Sequence, residues 1–212
     1  MLEALQPQAS RLIAFNPPFD WQRMLDFFAA RMTAGVEAVV GSVYLRNIEF
    51  KGSQGALTVE LAPGGQQLLA TAHGEVSQYI DELIVPVSHM FDLYAEPHTI
   101  DQSLSQDPWL ASLVQRRPGL RVPGAFSGFE LAVRTIVGQQ VSVKGATTIV
   151  GRLVQRAGFR STRGCIHNWP GASRRLRPWR RPTWTRSACP ASASTPCSVS
   201  RQRWPVASCP LT

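Results

Sequence analysis

The stretch "SVYLRNIEFKGSQGALTVELA", Ser42 to Ala62, decides the fold class of this chain. Its outer parts, "SVYLRNIEF" and "ALTVELA", are largely apolar runs on either side of "KGSQG", a glycine-bearing turn. In the second run Leu57, Val59 and Leu61 alternate with Thr58 and Glu60. A period of two places alternate side chains on opposite faces, so both runs read as half-buried strands joined through that turn. "PGGQ" marks another turn, and "QLLATA" (67–72) reads as a third strand. Beyond it, "EVSQYIDELIVPVSHMFDL" has helical periodicity that Pro86 must kink or divide, because proline lacks the amide proton and crowds the preceding turn. Upstream, "FNPPFDWQRMLDFFAARM" opens with Pro17 and Pro18, which enforce extended backbone, and Asp20, which can accept from free amides at a helix start. Trp21, Leu25, Phe28 and Met32 then recur at helical spacing. Strands mixed with two helices make residues 15–97 an α+β domain, and the weakly patterned residues 1–14 read as a leader.

From residue 98 the pattern is helical only. Asp107 followed by Pro108 in "TIDQSLSQDPWLASLV" is a helix start, and "RRPGLRVPG" is a loop. The long stretch "AFSGFELAVRTIVGQQVSVKGATTIVGRLVQRAG" then carries an apolar face. Phe126, Phe129, Val133, Ile136, Val137, Val141, Ile149, Leu153 and Val154 supply it, with an interruption at "GQQVS". A helix pair hinged there, the second helix ending at Gly158, is the natural reading of residues 98–158.

Residues 159–212 differ in kind. They hold ten arginines, seven prolines, all four cysteines and no acid. Of the 22 basic and 14 acidic residues, 12 and 14 therefore precede this tail, a balance of −2, and the basic character of the chain belongs to the tail alone. Cys165, Cys189, Cys197 and Cys209 form no Cys-x-x-Cys pair, and His167 is the one histidine nearby, so neither a metal site nor a disulfide framework is expected. With too few aliphatic residues for a core, the tail reads as disordered. Arg, Ser, Pro, Cys and Trp enrichment is also what GC-rich DNA gives out of frame. Shifted by two nucleotides, permissible codons for the tail yield a helically patterned sequence with ordinary acids. A frame slip between Gln155 and Trp169 is the expectation, and 159–212 an aberrant tail. The chain shows no apolar run of membrane-spanning length and no basic-then-apolar targeting segment, which points to a cytoplasmic protein.

"FNPPFDWQRMLDFFAARMTAGVEAV", "MFDLYAEP" and "RRPGLRVPGAFSGFELAVRTIVGQQVSVKGATTIVGRL" together resemble the DNA-3-methyladenine glycosylase II family, the bacterial alkylation-repair branch of the helix-hairpin-helix glycosylases. The resemblance runs from about Leu12 to Gly158. It implies an antiparallel sheet with helices, similar to the TATA-binding protein, followed by the first helices of an all-α glycosylase domain. It implies a monomer without cofactor or metal, acting on double-stranded DNA that contains alkylated bases. Such enzymes hydrolyse the N-glycosidic bond of a base taken out of the stack, at an unstacking cost of about a few kcal/mol, so a side chain must plug the gap. An aromatic pocket attracts the cationic damaged base. By position, the resemblance makes Gln140 the inserted wedge and Gln139 a lining of the base pocket. Phe27 and Arg31 fall at the pocket edge, and Ser142 and Lys144 at phosphate contacts.

Bland roles stand beside each of these: packing for Phe27, a solvated helix-end charge for Arg31, a loop for Gln139 and Gln140. The family's glycine-rich hairpin and catalytic aspartate have no counterpart here, since the last acidic residue is Glu130. Without that carboxylate the charge stabilisation that usually dominates catalysis is missing, and no catalytic residue is assigned. The loss of partner helices should also leave the Phe126–Gly158 helices with apolar faces exposed. Two other classes are open: a non-catalytic DNA-binding protein using the basic tail, and an amino-terminal interaction module standing alone.

Overall fold

The computed structural model describes residues 7–157, all within one compact unit. Strands β1 (Gln8–Ala14), β2 (Glu37–Val40), β3 (Val43–Phe50), β4 (Ser53–Leu61) and β5 (Gln67–Gly74) form one antiparallel sheet in the order β1-β5-β4-β3-β2. Helices α1 (Trp21–Arg31) and α2 (Ile80–Met90) pack with the sheet, and α3 (Pro97–Leu104), α4 (Pro108–Arg116), α5 (Gly128–Gly138) and α6 (Val143–Ala157) follow. The α+β architecture with a helical continuation is the one read from the sequence. Gly158 and the tail, with its cysteines and the disorder assigned to it, lie outside the described residues.

The β3–β4 hairpin turns on two residues, Lys51 (φ 50°) and Gly52 (φ 82°), so that Phe50 faces Ser53. Two left-handed residues match the twist of the flanking strands, and Ser53–Gly55, read as turn, belong to β4. Leu57 and Val59 are fully buried, as their alternation requires. Tyr44, Ile48, Leu57, Val59, Leu68 and Ala70 meet Trp21, Leu25 and Phe28 of α1 and Leu83, Val87 and Met90 of α2 in one core. At its centre Phe28, Tyr44 and Phe91 stand with ring centroids 5.0–5.5 Å apart.

Three readings need correction, and a fourth is narrowed. Residues 8–14 are not a leader but the edge strand β1, paired with β5 from Gln8↔His73 to Ala14↔Gln67. Only Ile13 on this strand is buried, so the alternation that betrays a strand is missing and backbone hydrogen bonding alone defines it. The short β2 was also missed. Met32, taken for part of the apolar face of α1, lies just past the helix end and is exposed. Pro86 sits inside α2 instead of dividing it; the change of winding comes earlier, where a short 3-10 helix, Glu75–Tyr79, meets α2.

The loop "RRPGLRVPG" fastens the helical continuation to the start of the chain. Gly119 (φ 79°) accepts from the Asp20 amide at 2.9 Å, and a Cβ there would come within 2.8 Å of the Phe19 nitrogen. Arg121 donates to Asp92 O at 2.6 Å and to Asn16 O, and its guanidinium lies over the Phe19 ring at 4.7 Å. Asp20 caps α1 through the Arg23 amide, and Asp107 caps α4 through Trp109 and Leu110, as the sequence foretold.

Candidate functional site

Phe27 and Arg31 lie on the last turns of α1, one turn apart. Phe28 points into the core, which turns Phe27 to the core's margin, where its ring meets Phe28 edge-on at 5.7 Å. The Arg31 guanidinium stacks on the Phe27 ring at 4.0 Å. Both border a hollow of about 280 Å³ whose other walls include Phe126, Met90 and Leu131. The Phe27 ring at the edge of this hollow therefore already holds a flat cation, the guanidinium of Arg31.

The interruption at "GQQVS" is a tight turn between α5 and α6. Gln139 ends α5 in extended conformation, and Gln140 adopts φ 64°, the left-handed region uncommon for a residue with a side chain. Both glutamines are exposed. Ser142 caps α6: its Oγ accepts from the Gly145 amide at 3.1 Å and its carbonyl from Ala146 at 2.8 Å. Lys144 is exposed on the first turn of α6. Gly138 and Val141, which bracket the glutamines, share with Arg31 a second hollow of about 200 Å³, walled mainly by apolar residues of α6. Of the residues named from the sequence, Phe27 and Arg31 thus line the first hollow and Arg31 the second, whereas Gln139, Gln140, Ser142 and Lys144 line neither.

Beneath this surface lies a charge cluster that sequence reasoning missed. Arg46 on β3 and Glu130 on α5, both almost fully buried, pair at 2.7 Å. Arg134, one turn along α5, reaches Glu130 at 2.7 Å and Glu37 of β2 at 2.5 Å, and donates to the Arg31 carbonyl at 3.0 Å. Glu37 also accepts from the Tyr44 hydroxyl at 2.6 Å and the Thr33 amide at 3.2 Å. Two carboxylates and two guanidiniums balance in charge, as burial demands. Burial alone would raise the Glu130 carboxyl, but Arg46 and then Arg134 reverse this and hold it below the usual carboxylate range. Burial likewise opposes the Arg46 cation, and its anionic surroundings overcome it, leaving the group above its ordinary value. Burial first and Glu37 second push the Tyr44 hydroxyl well above its own. The i,i+4 spacing of Glu130 and Arg134 was visible as a helix pair. Their partners on β2 and β3 precede them by more than 80 residues and carried no signal.

The exposed apolar face expected of the last helices is present. Leu131, Ile136, Val141, Val143 and Ile149 are exposed, while Val150 and Val154 pack on Val36. Among the described residues no group of three or more His, Cys, Asp or Glu could hold a metal ion, and no helix is long and apolar enough to cross a membrane.

Comparison with known proteins identifies the family of the chain. The "AlkA N-terminal domain" family model matches residues 10–127. Over 146 residues the chain is 34% identical to DNA-3-methyladenine glycosylase 2 of Escherichia coli, covering 69% of this chain and 50% of that one. Over 143 residues it is 31% identical to a probable bifunctional transcriptional activator/DNA repair enzyme AlkA of Mycobacterium tuberculosis, covering 66% and 28% respectively. A solved 3-methyladenine DNA-glycosylase from Archaeoglobus fulgidus shares the fold, with a TM-score of 0.61 at 19% identity over 70% of this chain and 51% of that one. The chain therefore spans half or less of the curated relatives it matches. The resemblance read from its motifs holds: the chain belongs to the AlkA N-terminal domain family.

Proposed function

We propose that this chain is the duplex-engaging half of a base-excision glycosylase acting on alkylated DNA, a cytoplasmic monomer in which residues 98–158 begin the helical domain. The left-handed, exposed Gln140 at the tip of the α5–α6 turn carries the reading, because such a conformation projects one side chain from a turn held between two helices. Gln140 fills the gap in the stack and Gln139 borders the extruded base. Phe27 and Arg31 form the edge of the base pocket, and Lys144 and the α6 amino-terminus, capped by Ser142, meet phosphate. Relatives named as 3-methyladenine glycosylases support the substrate class.

The chain as given engages DNA without excising a base from it. Glu37 and Glu130 are committed to arginines, so neither stands free to stabilise a cationic sugar. Release of methylated bases by the purified 212-residue protein would overturn this. For engagement, the affinity for a duplex with an abasic analogue is compared between the protein and Gln140→Ala. The substitution is expected to weaken binding by about tenfold, the scale of one lost base-stack contact. Equal affinities would sink the wedge assignment. We further propose that the tail past Gly158 is an out-of-frame reading. Resequencing the coding DNA across Gln155 to Trp169 decides this: an inserted or missing nucleotide supports it, and an unchanged reading rejects it.

A further inference from the structure

We infer that Arg134 is a positioning residue for duplex engagement, the joint that holds the Arg31–Phe27 edge and the Gln139–Gln140 turn in one geometry; this rests on the reading just given. Its guanidinium binds in three directions. Nε and Nη2 donate to Glu130 Oε1 at 3.0 and 2.7 Å, Nη2 also reaches Glu37 Oε1 at 2.5 Å, and Nη1 donates to the Arg31 carbonyl at 3.0 Å. That carbonyl belongs to the last residue of α1, where the final turn leaves acceptors without helical partners and the helix dipole favours a cation. One side chain thus closes the end of α1, grips β2, and stands one helical turn before Gly138, where α5 gives way to the two glutamines.

Arg31 and Arg134 border both hollows, the one beside Phe27 and the one beside Val141, and so form the wall between them. A shift of that wall changes the spacing between the base-holding edge and the inserted wedge. Glu37 fixes the other end of the joint, being itself held by Tyr44 and Thr33. The planar fork of arginine is required for the three-way geometry; lysine keeps the charge but offers a single point donor.

The test uses the full chain and a duplex carrying an abasic analogue beside 2-aminopurine, whose fluorescence rises when a wedge unstacks it. Arg134→Lys should lower affinity about tenfold and abolish the fluorescence rise, as a misplacement of this kind permits, while the thermal midpoint stays close to that of the parent. Affinity and fluorescence equal to the parent would overturn the inference and leave the wedge assignment standing. No binding by the parent, or no effect of Gln140→Ala, would overturn the wedge assignment and the inference together. Should Arg134→Lys fail to fold, Glu37→Gln decides. This near-isosteric change removes the charge that anchors the joint and should reduce the fluorescence rise, and an undiminished rise counts against the inference.

Discussion

Arg46 shows how far a single residue departs from its sequence reading. On a strand expected to be half-buried it is 3% exposed, and its neutralising partner Glu130 comes from a helix 84 residues later. Its guanidinium also covers the Phe126 ring at 4.4 Å. Arg46→Met should cost about 3–5 kcal/mol in denaturant unfolding, because removing one member leaves Glu130 and Glu37 buried with too little positive charge. Acid titration offers a second check. The pKa of Glu130 is depressed in the fold, so its contribution is complete above the ordinary value of 4.5 and is lost as pH falls through the folded value. His73 of β5 has its pKa lowered by burial, so the neutral ring is favoured in the fold and stability begins to fall as pH drops below 6.5. Denaturation midpoints should therefore decline in two stages, the first from His73 and absent in His73→Gln, the second absent in Glu130→Gln. Midpoints that stay flat as pH falls from 7 to 5 would contradict the first assignment, and the absence of any further decline below pH 4.5 would contradict the second.

At the scale of the element, the hairpin that decides the fold also contains its tightest contact. A Cβ on Gly55 would lie 2.2 Å from His73 O and 2.3 Å from Val76 Cγ2, so β4 approaches β5 and the 3-10 helix as closely as backbone allows. Gly55→Ala should destabilise by about 3 kcal/mol, the upper part of the range for overpacking, measured by chemical denaturation. Gly128→Ala, where a Cβ meets nothing within 4 Å, is the control and should leave the midpoint within about 0.5 kcal/mol of the parent. The loop "RPGLRVPG", which opens the longest block of the family resemblance, turns out to be a fastener. Gly119 and Arg121 lock the loop onto Asn16–Asp20, and Gly124 donates to Met90 O at 2.9 Å. The helix starts at Asp20 and Asp107 were legible because capping is local. β1 was not, because an edge strand with one buried side chain is defined by its neighbour.

At the scale of the whole molecule, the sheet and the helical continuation cannot be treated as separable bodies. A fragment ending at residue 97 would lose Glu130 and Arg134 from the buried cluster and Arg121 from the amino-terminal segment. Such a fragment should melt broadly and without a sharp midpoint, since it buries Arg46 and Glu37 with half their charge partners missing. A single sharp transition equal to that of the full chain would restore the reading of an interaction module standing alone. Beyond the cluster, α4, α5 and α6 present Trp109, Ile136 and Ile149 to solvent.

The sequence by itself determined the local order: strands from alternation, helices from their period and caps, the turn at "GQQVS", the change of character at residue 159, and the family from its motifs. Each of these depends on neighbours in the chain, whose chemistry is written in one place. Tertiary structure alone decided that β1 is a strand, that Arg46 is buried, and that Arg134 joins α1 to α5. Those outcomes depend on charges and backbone edges brought together across as many as 103 positions. Burial converts such encounters from optional surface pairs into obligatory ones, and burial is a property of the fold.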